Sequence, residues 1–244
     1  MKVIVVFPVY NHPTTIAEMV RGVLRHGVDC LLVDDGSDQP CAQVLDEIEL
    51  AHPDRVRVLH LSRNQGKGAA VLAGAHWAHE RGYSHMVQID ADGQHDPAQL
   101  PRFLELARKH MDAVICGVPA YDASVPRLRY YGRYLTHVWV WINTLSFDIR
   151  DAMCGYRVYP LVPLCQLSKQ VRLGQRMDFD TDVLVRMHWQ GIRIHNLDTP
   201  VTYPRDGISH FDLVRDNARI SLMHARLFFG MLRRLPSLLR DRLS

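Results

Sequence analysis

The sequence predicts an α/β fold in which a mostly parallel central sheet is flanked by helices. Short apolar, β-branched runs recur along the first half of the chain, segments with helical spacing of apolar residues lie between them, and acidic residues follow several of the runs. Strands that alternate with helices form right-handed βαβ units, which place the strands in parallel and helices on both faces. Ligands of such sheets bind beyond the carboxyl ends of the strands, where these acidic residues fall.

The predicted elements follow from these patterns in chain order. Residues 3–7 form a short apolar, β-branched run that is typical of a buried parallel strand. Thr15 and Glu18 form a capping-box pattern at the start of the first helix, and Gly27 suits its end. The further strands are predicted at residues 30–33, 56–61, 86–89 and 113–116. The further helices are predicted at residues 42–50, at residues 66–81 and after Pro97.

The alternation becomes less regular after about residue 118. Two helices and a short strand are predicted here, at residues 127–145, 182–189 and 192–194. From residue 211 onward the chain is predicted to be helical and basic, with an interruption at Pro236. The simplest organisation is a domain over residues 1–210 with a C-terminal helical extension over residues 211–244.

The composition narrows the class of protein. A formal net charge of +3 is too small to indicate a nucleic-acid partner by itself. The five cysteines are widely spaced and include no CxxC pair, which argues against a disulfide framework or a zinc site and favours a reduced, cytoplasmic compartment. No run of about 18 apolar residues could span a membrane. GxSxG, HExxH and GxGxxG motifs are absent, so serine hydrolases, zinc proteases and dinucleotide enzymes have little support.

Two carboxylates, Asp90 and Asp92, follow the fourth predicted strand in the segment VQIDADGQHDP. In a turn both side chains can approach one divalent cation, which would complete its shell with waters and substrate phosphate oxygens. A cation bound in this way neutralises a diphosphate leaving group. Gln94 and His95 are further polar groups within reach. On spacing alone, an ordinary acidic turn is the alternative interpretation.

Two more acidic residues, Asp34 and Asp35, follow the second predicted strand. A carboxylate there could accept hydrogen bonds from a nucleobase or a ribose, and a turn with a helix cap is the alternative. Three residues at the end of the first strand could form a wall on the base side, namely Pro8, Tyr10 and Asn11.

A glycine-rich, basic segment with the sequence RNQGKG opens the helix predicted at residues 66–81. Its glycines allow a ligand to approach the backbone closely, the helix N-terminus favours anions, and Arg63 and Lys67 add positive charge. The GxxxxGK[ST] spacing of a Walker A motif is missing. The segment, with Lys67, is therefore a candidate site for the phosphates of a donor, and a glycine turn with a solvated lysine is the alternative.

A second acidic cluster, in the segment MDFDTDVL, contains Asp178, Asp180 and Asp182. On a helix Asp178 and Asp182 share one face while Asp180 points elsewhere. One of the three could be a general base that deprotonates an acceptor hydroxyl. Acidic residues that stabilise the start of a helix are the alternative.

Taken together, these segments resemble the inverting family 2 glycosyltransferases, which have the GT-A fold. The motifs FPVYN, VDDGS, NQGKGAA and IDADGQHDP occur in the family's order and are followed by DAMCGYRVY, FDTDVLVRMHWQGIRI and YPRDGISHF. The resemblance covers residues 1–211, and IDADGQHDP and CGYR look most similar to polyprenyl-phosphate sugar transferases. It implies a GT-A-type nucleotide-sugar-binding fold and the transfer of a sugar, with inversion, from a UDP-, GDP- or dTDP-linked donor to a lipid-linked acceptor.

The resemblance also implies roles for individual residues. The nucleoside would be held by Pro8, Tyr10 and Asn11, together with Asp34 or Asp35. Asp90 would contact the sugar or ribose, and Asp92, with Gln94, would bind Mg²⁺ or Mn²⁺ on the diphosphate. Asp180 would be the catalytic aspartate. The phosphate groups of donor or acceptor would be held by two arginines, Arg157 and Arg205.

Two departures from the family pattern bear on the donor. His12 stands where the family often has Glu, and the family's DDGSxDxT pattern becomes DDGSDQPC. Both changes fall on nucleobase and ribose contacts, so the base and the sugar stay open. Two other functions are kept as alternatives, a sugar-phosphate nucleotidyltransferase and a non-catalytic nucleotide-sugar-binding membrane adaptor.

The C-terminal extension combines an apolar stripe with a row of arginines. The stripe consists of Phe211, Leu213, Ile220, Met223, Leu227 and Met231, and the row of Arg219, Arg226 and Arg233. A basic amphipathic helix of this kind can lie in an anionic membrane surface. We therefore predict a peripheral protein at the inner face of the cytoplasmic membrane, active in cell envelope biosynthesis. A helix docked on the protein's own core is the alternative.

Overall fold

The computed structural model describes residues 1–120, 127–202 and 212–243, and a seven-stranded sheet organises this part of the chain. The strands are β1 (Val3–Val9), β2 (Asp29–Asp34), β3 (Val56–His60), β4 (His85–Gln88), β5 (Val114–Ala120), β6 (Arg157–Pro160) and β7 (Ile194–Pro200). Their order in the sheet is β3-β2-β1-β4-β6-β5-β7. All neighbours run parallel except β6, which is antiparallel to both β4 and β5. The predicted α/β fold with a mostly parallel sheet is confirmed.

Helices cover both faces of the sheet and enclose two apolar cores. The helices are α1 (Pro13–Leu24), α2 (Gln39–Ala51), α3 (Lys67–Glu80), α4 (Leu100–Lys109), α5 (Arg127–Thr144), α6 (Leu161–Gln170), α7 (Phe179–Trp189) and α8 (Leu213–Leu243). One core contains Val6 and Phe179 and lies beneath α3, α6 and α7. The other contains Phe7 and Phe103 and lies beneath α1, α2 and α4. Val6 and Phe7 belong to different cores because neighbouring strand residues point to opposite faces.

Two elements of the structure, β6 and α6, are not predicted from the sequence patterns. β6 has only four residues and begins with the buried Arg157, so no apolar run marks it as a strand. It pairs with β4 in antiparallel register, with Arg157 opposite Gln88. The short strand predicted at residues 192–194 overlaps β7, which is longer and lies beside β5.

The capping box predicted at Thr15 and Glu18 is wrong. α1 begins at Pro13, and proline is favoured in the first turn because its missing N–H is not needed there. Thr15 therefore lies inside the first turn, and its Oγ1 donates a hydrogen bond to the main-chain oxygen of Ala91, 2.5 Å away. This bond ties α1 to the turn after β4. Gly27 follows the helix as predicted, with a φ of +74° that favours glycine.

The C-terminal residues form one long helix, α8, and the predicted interruption at Pro236 is wrong. The helix continues through the proline to Leu243. Proline removes one main-chain hydrogen bond, and Met231 and Leu238 on either side of it are buried. The domain boundary between residues 210 and 211 stays a prediction.

The buried part of the apolar stripe of α8 faces the protein's own core, as in the alternative interpretation, and membrane contact through α8 stays a prediction. Three of its positions are buried and a fourth packs against the same core, namely Met223, Leu227 and Met231, with Ile220 as the fourth. Burying these side chains against α5 and α7 removes them from water without a bilayer. Leu213 is exposed, and Phe211 lies outside the described residues. In the described part of the chain, no helix is both long enough and apolar enough to cross a membrane.

Candidate active site

The predicted site segments meet at the carboxyl edge of the sheet. β1, β2 and β4 run parallel, so the residues that follow them lie side by side at this edge. The first residue of α3, Lys67, and the second residue of α7, Asp180, meet at the same edge through a hydrogen bond of 2.6 Å. Side chains from five separate stretches of sequence therefore lie at this edge.

Lys67 joins two of the predicted site carboxylates. Its Nζ lies 2.7 Å from Asp90 Oδ2 and 2.6 Å from Asp180 Oδ2. The Lys67 side chain is 15% exposed and that of Asp180 is 6% exposed, so solvent screens these contacts only weakly. Burial would lower the pKa of Lys67, but the two carboxylates outweigh burial and raise it above its ordinary value. The cluster thus holds two carboxylates on one ammonium group.

Asp90 lies directly against the backbone of Gly155. A Cβ atom on Gly155 would be 2.0 Å from Asp90 Oδ2, far closer than a non-bonded contact permits. Burial would raise the pKa of Asp90, but the Lys67 ammonium outweighs burial and lowers it. Glycine at position 155 therefore leaves the room in which the ionised carboxylate reaches Lys67.

Asp92 is the site carboxylate best suited to a divalent cation. Its Oδ1 accepts a hydrogen bond of 3.0 Å from the main-chain N–H of Gln94, whose side chain is partly exposed. Burial and the nearby charge of Asp90 raise the pKa of Asp92, and a bound cation would reverse this shift.

A cation at Asp92 would need ligands from outside the protein. Within residues 1–120, 127–202 and 212–243, no three His, Cys, Asp or Glu side chains are grouped closely enough to hold a metal ion. Mg²⁺ is commonly bound through one or two carboxylates, with substrate phosphates and waters completing its shell. The donor set at Asp92 fits a hard cation of this kind.

Asp34 and Asp35 are buried, and their carboxylates are engaged by protein groups. Asp34 Oδ1 accepts a hydrogen bond of 2.9 Å from the N–H of Ser37, and its Oδ2 lies 2.8 Å from His60 Nδ1. Asp35 accepts two bonds of 2.7 Å from main-chain N–H groups of the RNQGKG segment. The predicted direct contact of either carboxylate with a nucleoside does not fit this burial. Both side chains instead hold the loops around the site in position.

Hydrogen bonds link the residues after β1 to the loop after β2. The N–H of Asn11 donates to Ser37 Oγ at 3.0 Å, and the Asn11 side chain exchanges hydrogen bonds with Asp38. Tyr10 is half-buried and Pro8 is buried. Tyr10 and Asn11 are thus partly exposed beside the strand ends. Pro8 lies within β1 and offers little surface to a ligand.

Arg157 is fully buried beneath Asp180, which corrects the prediction that it holds a phosphate group. Its Nη1 donates to the main-chain oxygen of Asp180 at 2.6 Å and to the Tyr159 hydroxyl at 3.1 Å. A guanidinium group with no exposed surface does not reach a ligand, so its charge acts on Asp180 from within the fold. Arg205, the other arginine predicted to contact phosphate, lies outside the described residues.

The sequence reasoning missed several residues that build this site. Gln88 is buried, and its Nε2 donates to Asp180 Oδ1 at 3.0 Å. The sequence feature that could have identified Gln88 is a polar amide inside an otherwise apolar predicted strand. Asp151 accepts two hydrogen bonds from Arg133 and two from main-chain N–H groups of the loop that leads to Gly155. The signal for Asp151 was an acidic residue just before a glycine-containing turn.

The sequence profile described as glycosyl transferase family 2 matches residues 4–170, more than half of the chain. The chain belongs to glycosyl transferase family 2. It is therefore a glycosyltransferase, as the order of its motifs predicts, and the nucleotidyltransferase and adaptor alternatives are not retained.

Curated relatives of this family 2 glycosyltransferase include two enzymes named for polyprenyl substrates. The chain is 33% identical to the polyprenol monophosphomannose synthase of Mycolicibacterium smegmatis, over 83% of this chain and 77% of the relative. It is 32% identical to the undecaprenyl-phosphate mannosyltransferase of Micrococcus luteus, over 83% of this chain and 84% of the relative.

Solved glycosyltransferase structures share the fold at low sequence identity. Glucosyl-3-phosphoglycerate synthase from Mycobacterium tuberculosis, in complex with Mn²⁺ and UDP-glucose, aligns with a TM-score of 0.66 and 13% identity, over 94% of this chain and 78% of the other. A mannosyltransferase from Pyrobaculum calidifontis, in complex with GDP-Man and Mn²⁺, aligns with a TM-score of 0.58 and 15% identity, over 98% and 73%. The likeness confirms the predicted GT-A fold.

Proposed function

We propose that this enzyme transfers a sugar from a nucleotide-diphospho-sugar to a polyprenyl phosphate, with inversion at the anomeric carbon. The observation that carries the proposal is the Lys67 bridge between Asp90 and Asp180 at the edge where a donor would lie. The names of the Mycolicibacterium and Micrococcus relatives favour the same class of acceptor.

On the donor side, Asp92 and Gln94 would hold Mg²⁺ or Mn²⁺, and Tyr10 and Asn11 would contact the nucleoside. A bound cation would neutralise the negative charge that develops on the leaving diphosphate. The N-terminus of α3, which begins at Lys67, favours anions at the same place. The Mn²⁺ and nucleotide sugars bound in the two solved neighbours support this half of the proposal.

On the acceptor side, Asp180 is poorly suited to act as a general base. Its Oδ2 contacts Lys67, its Oδ1 accepts from Gln88, and the residue is only 4% exposed. Both carboxylate oxygens are thus already engaged by protein donors, so they are poorly placed to reach an acceptor hydroxyl. A phosphate acceptor is already anionic and needs no base, which favours a polyprenyl phosphate over an alcohol.

In the proposed reaction a phosphate oxygen of the acceptor attacks the anomeric carbon opposite the leaving group. The bond between that carbon and the nucleoside diphosphate breaks, and its electron pair leaves with the diphosphate. A new carbon–oxygen bond forms to the acceptor phosphate, and no proton has to move. Because such an acceptor resides in a membrane, the enzyme would act at the inner surface of the cytoplasmic membrane.

Binding of the correct donor is expected to raise the melting temperature of the purified protein when Mn²⁺ is present. A ligand that binds only the folded state adds about 2.7 kcal/mol at 100 times its Kd. The measurement compares UDP-, GDP- and dTDP-sugars with Mn²⁺ and again with EDTA, and free sugar 1-phosphates are the control. If no nucleotide sugar shifts the melting temperature, the proposed donor class is wrong.

A further inference from the structure

The buried amide of Gln88 forms a second bridge between Asp90 and Asp180. Its Nε2 donates to Asp180 Oδ1 at 3.0 Å and lies 3.4 Å from Asp90 Oδ1. Lys67 contacts the Oδ2 atoms of the same two carboxylates. Each carboxylate is therefore held on one oxygen by a cation and on the other by a neutral amide.

The fold alone does not require a glutamine at this position. Gln88 is the last residue of β4, and its neighbours Met86, Val87 and Ile89 are apolar and buried. A buried amide destabilises the fold unless its donor and its acceptor are both hydrogen-bonded. Gln88 Oε1 has no hydrogen-bond partner in the described part of the chain. The amide is thus explained by the carboxylates that it contacts and not by packing.

A neutral donor suits the charge of the cluster. Two carboxylates already share one ammonium group, so a glutamate at position 88 would add a third negative charge. An aliphatic side chain would leave Asp180 Oδ1 without this donor, at a distance of 3.9 Å from Arg157 Nη1. Arg157, opposite Gln88 on β6, donates to the main-chain oxygen of Asp180 and does not bridge the two carboxylates.

We propose that Gln88 is a positioning residue for the sugar transfer, and this inference rests on the proposed function. By holding Asp90 and Asp180 around Lys67, it fixes the direction in which the Asp90 carboxylate meets the donor sugar. Small displacements of a positioned group lower the rate of the chemical step more than they weaken substrate binding.

Replacing Gln88 with Met tests the proposal, because Met has a similar volume and cannot donate a hydrogen bond. We expect kcat to fall about tenfold to 100-fold and the KM for the donor to change by less than about threefold. The melting temperature should stay close to that of the wild type, because the variant loses both the donor to Asp180 and the unpaired Oε1. The matched control is Met86→Leu, which alters an apolar residue on the same face of β4 and is expected to keep the wild-type kcat.

A second variant, Gln88→Glu, keeps the size of the side chain and adds a negative charge, and we expect it to lose at least as much activity as Gln88→Met. Wild-type kcat in either variant would overturn the proposal. A Gln88→Met protein that melts at a lower temperature and keeps its kcat would also overturn it, because that result indicates packing alone. Absence of sugar transfer by the wild-type enzyme would instead contradict the proposed function.

Discussion

Replacing Asp92 with Asn is expected to lower Mn²⁺-dependent sugar transfer by at least about 100-fold and to leave the fold intact. Asn keeps an oxygen that can accept the 3.0 Å hydrogen bond from the N–H of Gln94, so the turn after β4 should persist. It loses the negative charge that would attract a divalent cation. The stabilisation that such a cation gives to a leaving diphosphate is several kcal/mol, and about 2.7 kcal/mol corresponds to 100-fold.

The measurement is the initial rate of nucleoside diphosphate release over a series of Mn²⁺ concentrations at saturating donor and acceptor. The control is Asp54→Asn, which removes one negative charge from an exposed turn between α2 and β3 and is expected to keep the wild-type rate. If the Asp92→Asn variant keeps the wild-type rate and Mn²⁺ dependence, the role assigned to Asp92 is wrong.

Replacing Lys67 with Met is expected to lower the free energy of unfolding by about 3 kcal/mol and to suppress sugar transfer. The change leaves Asp90 and Asp180 close together without the ammonium that both contact. Their side chains are 22% and 6% exposed, so water replaces the lost partner poorly. A buried charge that loses its partner is among the most destabilising changes in a protein.

Urea unfolding at neutral pH measures this effect, and Lys109→Met is the matched control. Lys109 lies 2.6 Å from Glu105 on α4, but both side chains are about two-thirds exposed, at 64% and 66%. Exposed pairs of this kind contribute little to stability, because solvent screens their attraction. If Lys67→Met and Lys109→Met lower the free energy of unfolding equally, the Lys67 cluster is solvated and does not form the buried core of the site.

The positions of Asp90, Asp92 and Lys67 could be predicted from sequence because they follow from one rule about parallel sheets. Residues after successive strands share an edge, so short apolar runs and the polar residues behind them are enough to bring these groups together. The pairing of Lys67 with Asp180 could not be predicted in this way. The two residues are 113 positions apart, and only the packing of α3 and α7 on the same sheet face joins them.

Local sequence patterns could not predict which side chains are buried by distant parts of the chain. The family resemblance implies that Arg157 binds a phosphate group. The short antiparallel strand β6 instead places Arg157 inside the fold. The stripe on α8 predicts an amphipathic helix correctly but does not reveal what covers it. α5 and α7 cover the stripe, and Leu227 and Met223 of α8 are among the side chains buried there.

Transfer of a labelled sugar to a long-chain polyprenyl phosphate, compared with the matching polyprenol, tests the central claim most directly. The purified enzyme, the stabilising donor and Mn²⁺ are incubated with each acceptor in detergent micelles, and the lipid product and nucleoside diphosphate are quantified. We predict glycosylation of the phosphate only, equal amounts of nucleoside diphosphate, and loss of both products with EDTA. Glycosylation of the polyprenol at a comparable rate, or donor consumption without a lipid product, would contradict the proposed phosphate acceptor.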